Sequence, residues 1–261
     1  MDGDVRAHSE PPRSDEPRAE MLAAIPAWYW PWGHLAGTTG VGVAGVVLAV
    51  THLEAPRVAD FSVIPATFVF ANLVEWFVHR YFMHERRRPL AVLYDRHTPE
   101  HHRVYRYESM AIRSVREFRL VLIPAAGVLG IVLLAAPVAR VTALAWGANA
   151  GWLFLLSSAV YVVGYELSHL AYHLPETFPA YRLPVLRTLR EHHARHHLPS
   201  LMRRANFNVT IPLADLLFGT LASSAEVQAA RARHAARDHG ASAAAPRVAR
   251  SARPERLLRR P

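Results

Sequence analysis

Four long apolar stretches restrict what this chain can fold into. They run over residues 35–53, 61–79, 119–137 and 141–166. About 20 helical residues are needed to cross the roughly 30 Å hydrocarbon layer of a bilayer, and each stretch is close to that length. Core helices of a large soluble protein are the alternative, but these four stretches crowd into about half of the chain. We therefore expect an all-α integral membrane protein with four transmembrane helices in two hairpins.

The arginines between the stretches indicate an orientation. The connections 54–60 and 138–141 hold one Arg each, whereas residues 80–119 hold ten and the chain after residue 173 holds fifteen. Cytoplasmic loops of membrane proteins are enriched in basic residues. We expect residues 80–119, the C-terminal third and both termini to lie in the cytoplasm, in a multi-pass protein of the bacterial inner membrane.

The two ends of the chain differ in composition from the apolar stretches. Residues 1–20 are acidic and Pro-rich, which predicts a disordered cytosolic leader. Residues 221–261 form an Arg/Ala-rich stretch that predicts a low-complexity tail. Much of the net charge of +9 lies in this tail, and we expect it to meet water or lipid headgroups, with no nucleic-acid partner.

Eleven of the 16 histidines fall in four clusters, and the chain has no Cys. The clusters are His79 with His84; His97 with His101 and His102; His169 with His173; and His192 with His193, His196 and His197. Without thiolates, any metal must be bound by nitrogen or oxygen. The second and fourth stretches end on the same side, so the clusters can meet in one cytosolic helical cap.

The spacing within the clusters suits metal binding. Histidines at positions i and i+4 share one face of an α-helix. The pairs with this spacing are His97/His101, His169/His173, His192/His196 and His193/His197. The five-residue step from His79 to His84 is less regular and fits a place where a helix ends. One ion takes about four to six ligands, so the pattern predicts two ions, for which imidazole allows iron, zinc or copper.

Taken together, these clusters resemble the fatty acid hydroxylase/sterol desaturase superfamily of membrane di-iron enzymes. In order they are His-x4-His, His-x3-His-His, His-x3-His and His-x2-His-His, with two apolar stretches between the second and third. The resemblance covers roughly residues 65–220. It includes Asn206, Asp215 and the sequence Phe218-Gly219-Thr220, which are similar to the end of the family's catalytic region. It implies a membrane-embedded catalytic domain over residues 21–220.

The resemblance also implies a ligand set and a chemistry. The implied ligands are His79, His84, His97, His101, His102, His169, His173, His193, His196 and His197, with His192 as a possible spare. Residues expected to orient the imidazoles are Glu75, Glu100, Glu166 and Asn206. The implied cofactors are two iron ions, which zinc can replace on purification, with O2 as co-substrate. No catalytic residue separate from the di-metal site is expected.

The implied reaction is oxidation of a lipid C–H bond, most simply hydroxylation of a fatty acyl chain. A desaturase, or a sterol or carotenoid hydroxylase, would use the same ligands. A metal-binding membrane transporter is the alternative from another class, but its ligands would lie near mid-membrane rather than at span ends.

The reaction also needs a source of electrons. No cytochrome b5-like domain precedes the catalytic region, so we expect a separate ferredoxin-, rubredoxin- or cytochrome b5-like donor with its reductase. We expect this donor to be attracted by cytoplasmic arginines. These are Arg86, Arg87, Arg88, Arg103 and Arg106.

Overall fold

Four long helices form the body of the protein. The computed structural model describes residues 15–243, and all regular structure within that range is helical. The long helices are α2 (Pro31–Thr51), α3 (Val63–Val78), α7 (Ala125–Trp146) and α8 (Ala148–Tyr172). Together with the short turns that adjoin them, all four are long and apolar enough to cross a membrane. The chain is an all-α integral membrane protein with two helical hairpins, as the sequence predicts.

The second hairpin turns later than predicted. The expected turn at 138–141 lies inside α7, which runs through Pro137 and Arg140 to Trp146. The chain turns at Gly147 instead, where φ is +103°. That conformation is readily available to glycine alone, because it has no Cβ. One Pro and one Arg were therefore insufficient to end a long apolar helix.

Helix α8 is the inner helix of the bundle and packs against α2, α3 and α7. Small residues allow the close contact with α2. A Cβ atom added to Gly42 would lie only 2.1 Å from a methyl carbon of Val163, and one added to Gly45 would lie 3.3 Å from Cβ of Ala159. Close approach of this kind is how helices associate in lipid. The central position of α8 brings its C-terminal histidines to the middle of one end of the bundle.

A helical cap covers that end of the bundle. Its helices are α1 (Glu16–Ala23), α4 (Ala91–Arg96), α5 (His102–Val104), α6 (Phe118–Val121), α9 (Pro184–His196), α10 (Leu213–Leu217) and α11 (Ser224–Ala243). Helix α9 begins at Pro184, a residue suited to the first turn because its missing N–H has no helical partner. All four histidine clusters lie in this cap or at the ends of α3 and α8 that meet it.

Parts of both predicted terminal segments are helical. Residues 1–14 and 244–261 lie outside the described range, but Glu16–Ala23 and Ser224–Ala243 are helices. In the first, Arg18 is buried. In the second, Val227 and Ala230 pack against Leu198 and Leu201 of the cap. The prediction of disorder is wrong for residues 16–20 of the leader, and residues 224–243 of the Arg/Ala-rich tail are helical, because a few buried side chains in a polar sequence suffice to dock each helix.

Candidate metal centre

Nine of the ten histidines implied as ligands lie in two buried groups. The first histidine group is His79, His84, His97, His102 and His196; the second histidine group is His101, His173, His193 and His197. Within each group the ligand nitrogens lie within 4.8 Å of one another. Two imidazoles on one ion, each at about 2.1 Å, are separated by at most about 4.2 Å. Each group is therefore close to the size that one ion requires.

His169, the tenth histidine, lies beside the second group. Its ring centroid is 4.8 Å from that of His101 and 4.9 Å from that of His193. Its Nε2 atom is buried and has no hydrogen-bond partner among the described residues. It is the nearest candidate for a fifth ligand there, which would make the two groups equal in number.

The two groups adjoin each other. The rings of His102 and His197, one from each group, have centroids 4.2 Å apart. His101 and His102 are consecutive residues that belong to different groups. Two ions held in this way would be neighbours within one buried site.

Two π-helical turns determine which histidines share a group. They span His79–Met83 and His97–His101, and they bring together residues five apart. The rings of His79 and His84 are stacked, with centroids 5.1 Å apart. Nε2 of His97 lies 2.9 Å from Nε2 of His102. The irregular five-residue step in the first cluster is therefore a wider turn at the place where the helix ends, with His84 as the C-cap residue.

Histidines four residues apart face the same way, as predicted for His97 and His101, whose rings are stacked with centroids 5.3 Å apart, but the two members of a pair do not always share a histidine group. His193 and His197 lie in the same group, with their Nε2 atoms 3.1 Å apart. His97 and His101 lie in different groups, because the π-turn pairs His97 with His102 instead.

His192 is outside both groups. Its Nε2 lies 3.2 Å from Asp215, whereas His196 belongs to the first group. The i, i+4 pair His192/His196 is therefore divided between a contact with Asp215 and the first histidine group.

Backbone carbonyls set the tautomers of five histidines. The Nδ1 atoms of His79, His101, His173, His196 and His197 contact the carbonyl oxygens of Phe207, Leu120, Met110, Ala205 and Tyr105 respectively. A carbonyl only accepts, so each Nδ1 carries the proton. In a neutral ring Nε2 then has a free lone pair, which is the form that binds a metal.

The contacts between Nε2 atoms test whether these residues fit metal ions. Nε2 of His84 lies 2.9 Å from Nε2 of His196, and Nε2 of His173 lies 3.3 Å from Nε2 of His193. The Nδ1–H of His196 and of His173 is already donated to a carbonyl. Nε2 of His101 is buried and has no hydrogen-bond partner in residues 15–243. Nε2 of His173 and of His196 therefore each direct a lone pair at a neighbouring Nε2, and a shared cation would satisfy lone pairs placed in this way, so the donor set fits bound metal.

Burial keeps these imidazoles neutral. Desolvation is the main cause that lowers the pKa of His101 to about 4; the hydrogen bond to Leu120 opposes it, and the charges of His196 and Arg96 lower the pKa further. Burial likewise holds the pKa of His97, His102, His193 and His196 well below the usual value. A metal competes with protons for the ring nitrogens, so histidines that resist protonation bind ions more readily at neutral pH.

Asp215 fixes the segment that holds the first histidine group. Its carboxylate accepts hydrogen bonds from the N–H groups of Phe207 (2.9 Å) and Asn208 (2.8 Å) and from the hydroxyl of Thr220 (2.6 Å). The carbonyls of Ala205 and Phe207 in turn hold His196 and His79. Asp215 stands in the C-terminal motif, but its role depends on a loop that the sequence pattern does not reveal.

The four residues predicted to orient imidazoles make other contacts. Glu75 accepts hydrogen bonds from the N–H of Thr210 (3.1 Å) and of Val209, and Asn206 donates to the backbone carbonyl of His192 at 2.9 Å. Both therefore brace the 205–210 segment rather than an imidazole. Glu166 accepts from the N–H of Ile123 at 2.7 Å, and Glu100 lies 3.9 Å from Arg119. None of these contacts is made to an imidazole, and backbone carbonyls occupy the Nδ1 positions of five of the histidines.

Two buried histidine groups that could each hold a metal ion, at one end of a four-span helical bundle, define a candidate membrane metalloprotein. The sequence model of the fatty acid hydroxylase family matches residues 64–220, and the chain belongs to that family. Membership makes it an oxidoreductase of the lipid-hydroxylating kind and confirms the resemblance seen in the sequence.

The structure described as full-length scs7p, with only its hydroxylase domain visible, has a similar fold, with a TM-score of 0.50 and 19% identity. The similarity covers 74% of this chain and 67% of that one. No curated protein sequence matches the chain.

Proposed function

We propose that this protein binds two iron ions in its two histidine groups and uses O2 to hydroxylate a fatty acyl chain or a related lipid. The observation that carries the proposal is the convergence of the two groups, with Nε2 atoms directed at each other inside a buried site in the cap. Two iron ions there would supply the O2-derived oxidant that an unactivated C–H bond requires. Imidazole ligands also suit zinc, so the choice of iron rests on the family's chemistry.

The residues of the chain would hold and shield the centre. His79, His84, His97, His102 and His196 would bind one ion, and His101, His169, His173, His193 and His197 the other. The backbone carbonyls behind five of these rings keep each Nε2 free for the metal. Burial of the two groups excludes water, which would otherwise compete for the oxidant.

The lipid would reach the centre from the membrane. Helices α3 and α8, which carry His79 and His169 at the cap end, are apolar for most of their length. An acyl chain can lie along such helices while its reactive carbon meets the cap. The positive-inside tendency supports a cytoplasmic position for the cap and for both termini, with the inner membrane of a bacterium as the expected location.

A separate electron-donor protein would dock on the arginine-rich cap. The predicted patch is partly neutralised within the chain, since Arg86, Arg87 and Arg103 form ion pairs. The pairing acids are Asp95, Glu85 and Glu20. Electrostatic attraction of an acidic ferredoxin, rubredoxin or cytochrome b5-like domain would then rest on the summed charge of the cap. When the concentration of the donor limits the rate, turnover should then fall as the salt concentration rises.

The proposal is tested by metal content and by lipid products. Wild type, His193→Ala and the control His52→Ala are expressed with a donor, its reductase and oxygen. His52 stacks on Trp152 near the end of the spans opposite the cap. We expect about two irons per chain and a hydroxylated lipid with wild type and His52→Ala, and no such lipid with His193→Ala.

Other outcomes separate the remaining candidates. An unsaturated lipid in place of a hydroxylated one would keep the site and change the reaction to desaturation. A modified sterol or carotenoid would change the substrate class. Metal uptake into proteoliposomes without any lipid product would favour a transporter. Wild type without metal and without a new lipid would overturn the proposal.

A further inference from the structure

A buried ion pair fastens helix α1 to the loop that follows α5. The guanidinium of Arg18 contacts the carboxylate of Glu117, and the two residues are 4% and 0% exposed. Nη2 of Arg18 also donates to the carbonyl of Ala111 at 3.2 Å, and its guanidinium carbon lies 5.3 Å from the ring centre of Tyr105. A buried pair costs a large desolvation energy, which such additional contacts help to offset.

The loop held by this pair provides the anchors of the second histidine group. The carbonyl of Met110 accepts the Nδ1–H of His173 at 2.7 Å, and the N–H of Ile112 donates to the carbonyl of His173 at 2.7 Å. Ala111, the residue between these two anchors, is the one whose carbonyl Arg18 binds. Arg18 therefore binds the short stretch of backbone that forms hydrogen bonds with both the ring and the carbonyl of His173.

Glu117 connects the same ion pair to His197. Its carboxylate accepts the phenol hydroxyl of Tyr105 at 3.0 Å and the N–H of Arg113 at 2.9 Å. The carbonyl of Tyr105 accepts the Nδ1–H of His197 at 2.7 Å. Through two hydrogen-bonded paths, one carboxylate thus holds the anchors of two histidines in the second group.

We propose that Arg18 is a positioning residue, which through Glu117 holds the second histidine group in its metal-binding arrangement. The inference rests on the proposed di-metal site. The first group is anchored elsewhere, by the carbonyls of Ala205 and Phe207 and by Thr98. Loss of Arg18 should therefore affect one ion and leave the other in place.

The chain contains a matched control for this ion pair. Arg103 and Glu20 form a second ion pair between α1 and the cap, at 2.6 Å, but their side chains are 45% and 58% exposed. Exposed pairs contribute little to stability. Arg103→Gln therefore removes a charge and an α1 contact while leaving the anchors of His173 and His197 intact.

The experiment titrates metal-free, full-length protein with Co²⁺, whose visible absorption reports each ion as it binds. We expect two tight equivalents for wild type and for Arg103→Gln. Arg18→Gln should keep one and bind the other about 10- to 100-fold more weakly, the usual effect of losing a residue that supports a ligand. Arg18→Lys should recover part of that affinity, and the weakened equivalent should be the one that His193→Ala removes.

Several outcomes would overturn the inference. Two tight equivalents in Arg18→Gln would do so, as would equal weakening of both ions, which indicates general destabilisation. If Arg18→Gln does not fold, Tyr105→Phe decides, because it loses one hydrogen bond to Glu117 and should weaken the same equivalent by a smaller factor. An unchanged titration of Tyr105→Phe would then refute the role of Glu117. Absence of binding in wild type would instead refute the di-metal site.

Discussion

The two histidine groups adjoin each other, yet different parts of the chain support them. The first is anchored by the 205–207 segment, which Asp215 fixes from a few residues further along. The second is anchored by the carbonyls of Tyr105, Met110 and Leu120, and Arg18 and Glu117 brace the loop that contains the first two. One sequence cluster can thus supply histidines to both groups, whereas the residues that hold each group in place come from separate segments. The two histidine groups can therefore be perturbed independently.

The largest effect is expected from removing one ligand of either group. His84→Ala should lose about one ion from the first group, and His193→Ala about one from the second. Turnover should fall by more than about 100-fold in both, since ligand loss exceeds the effect of losing a supporting residue. Iron per chain and product formation measure this. Loss of both ions from each variant would contradict the separation of the site into two groups.

The next largest effect should come from Asp215→Asn, the counterpart in the first group of the Arg18 substitution. Its carboxylate accepts hydrogen bonds from Phe207 and Asn208, and an amide cannot replace both. We expect the first-group ion to bind about 10- to 100-fold more weakly. Unfolding should become easier by about 1.5–3 kcal/mol, as for a buried hydrogen bond to a charged group.

Asp95→Asn is the control for Asp215→Asn. It breaks an exposed pair with Arg86, which should cost less than about 1 kcal/mol. Metal titration and thermal unfolding of both variants check the prediction. A weakened second-group ion in Asp215→Asn would contradict it.

The sequence predicts the spans and the ligand clusters well because both depend on local patterns. Four apolar runs of sufficient length indicate four helices, and paired histidines indicate metal. The division of the histidines between the two groups is less predictable. An α-helix brings together residues four apart and a π-turn residues five apart, so the partner of His97 is His101 in one case and His102 in the other. The groups that hold the imidazoles in place are less predictable still. A backbone carbonyl such as that of Met110 has no side-chain signature, and its position depends on Arg18, 92 residues earlier in the sequence.

A smaller effect is expected at Thr98, which supports His84 in the first group. Its Oγ1 donates to the carbonyl of Met83 at 2.7 Å and lies 3.2 Å from Nδ1 of His84, from which it can accept. Thr98→Val removes this acceptor with little change in volume, whereas Thr98→Ser keeps it. We expect about tenfold weaker binding of the first-group ion in the valine variant only. Equal titrations of the two variants would show that the hydroxyl does not fix the imidazole.

The smallest effect should come from His192→Gln, which tests whether His192 is a sixth ligand of the first histidine group. Nε2 of His192 faces Asp215 at 3.2 Å, and its backbone carbonyl accepts from Asn206, a bond that the substitution leaves in place. Glutamine can donate to Asp215 as histidine does. We therefore expect two ions per chain and a loss of turnover smaller than about tenfold, the lower end for residues that support a ligand. Loss of an ion from this variant would make His192 a ligand and would shift the boundary of the first group towards Asp215.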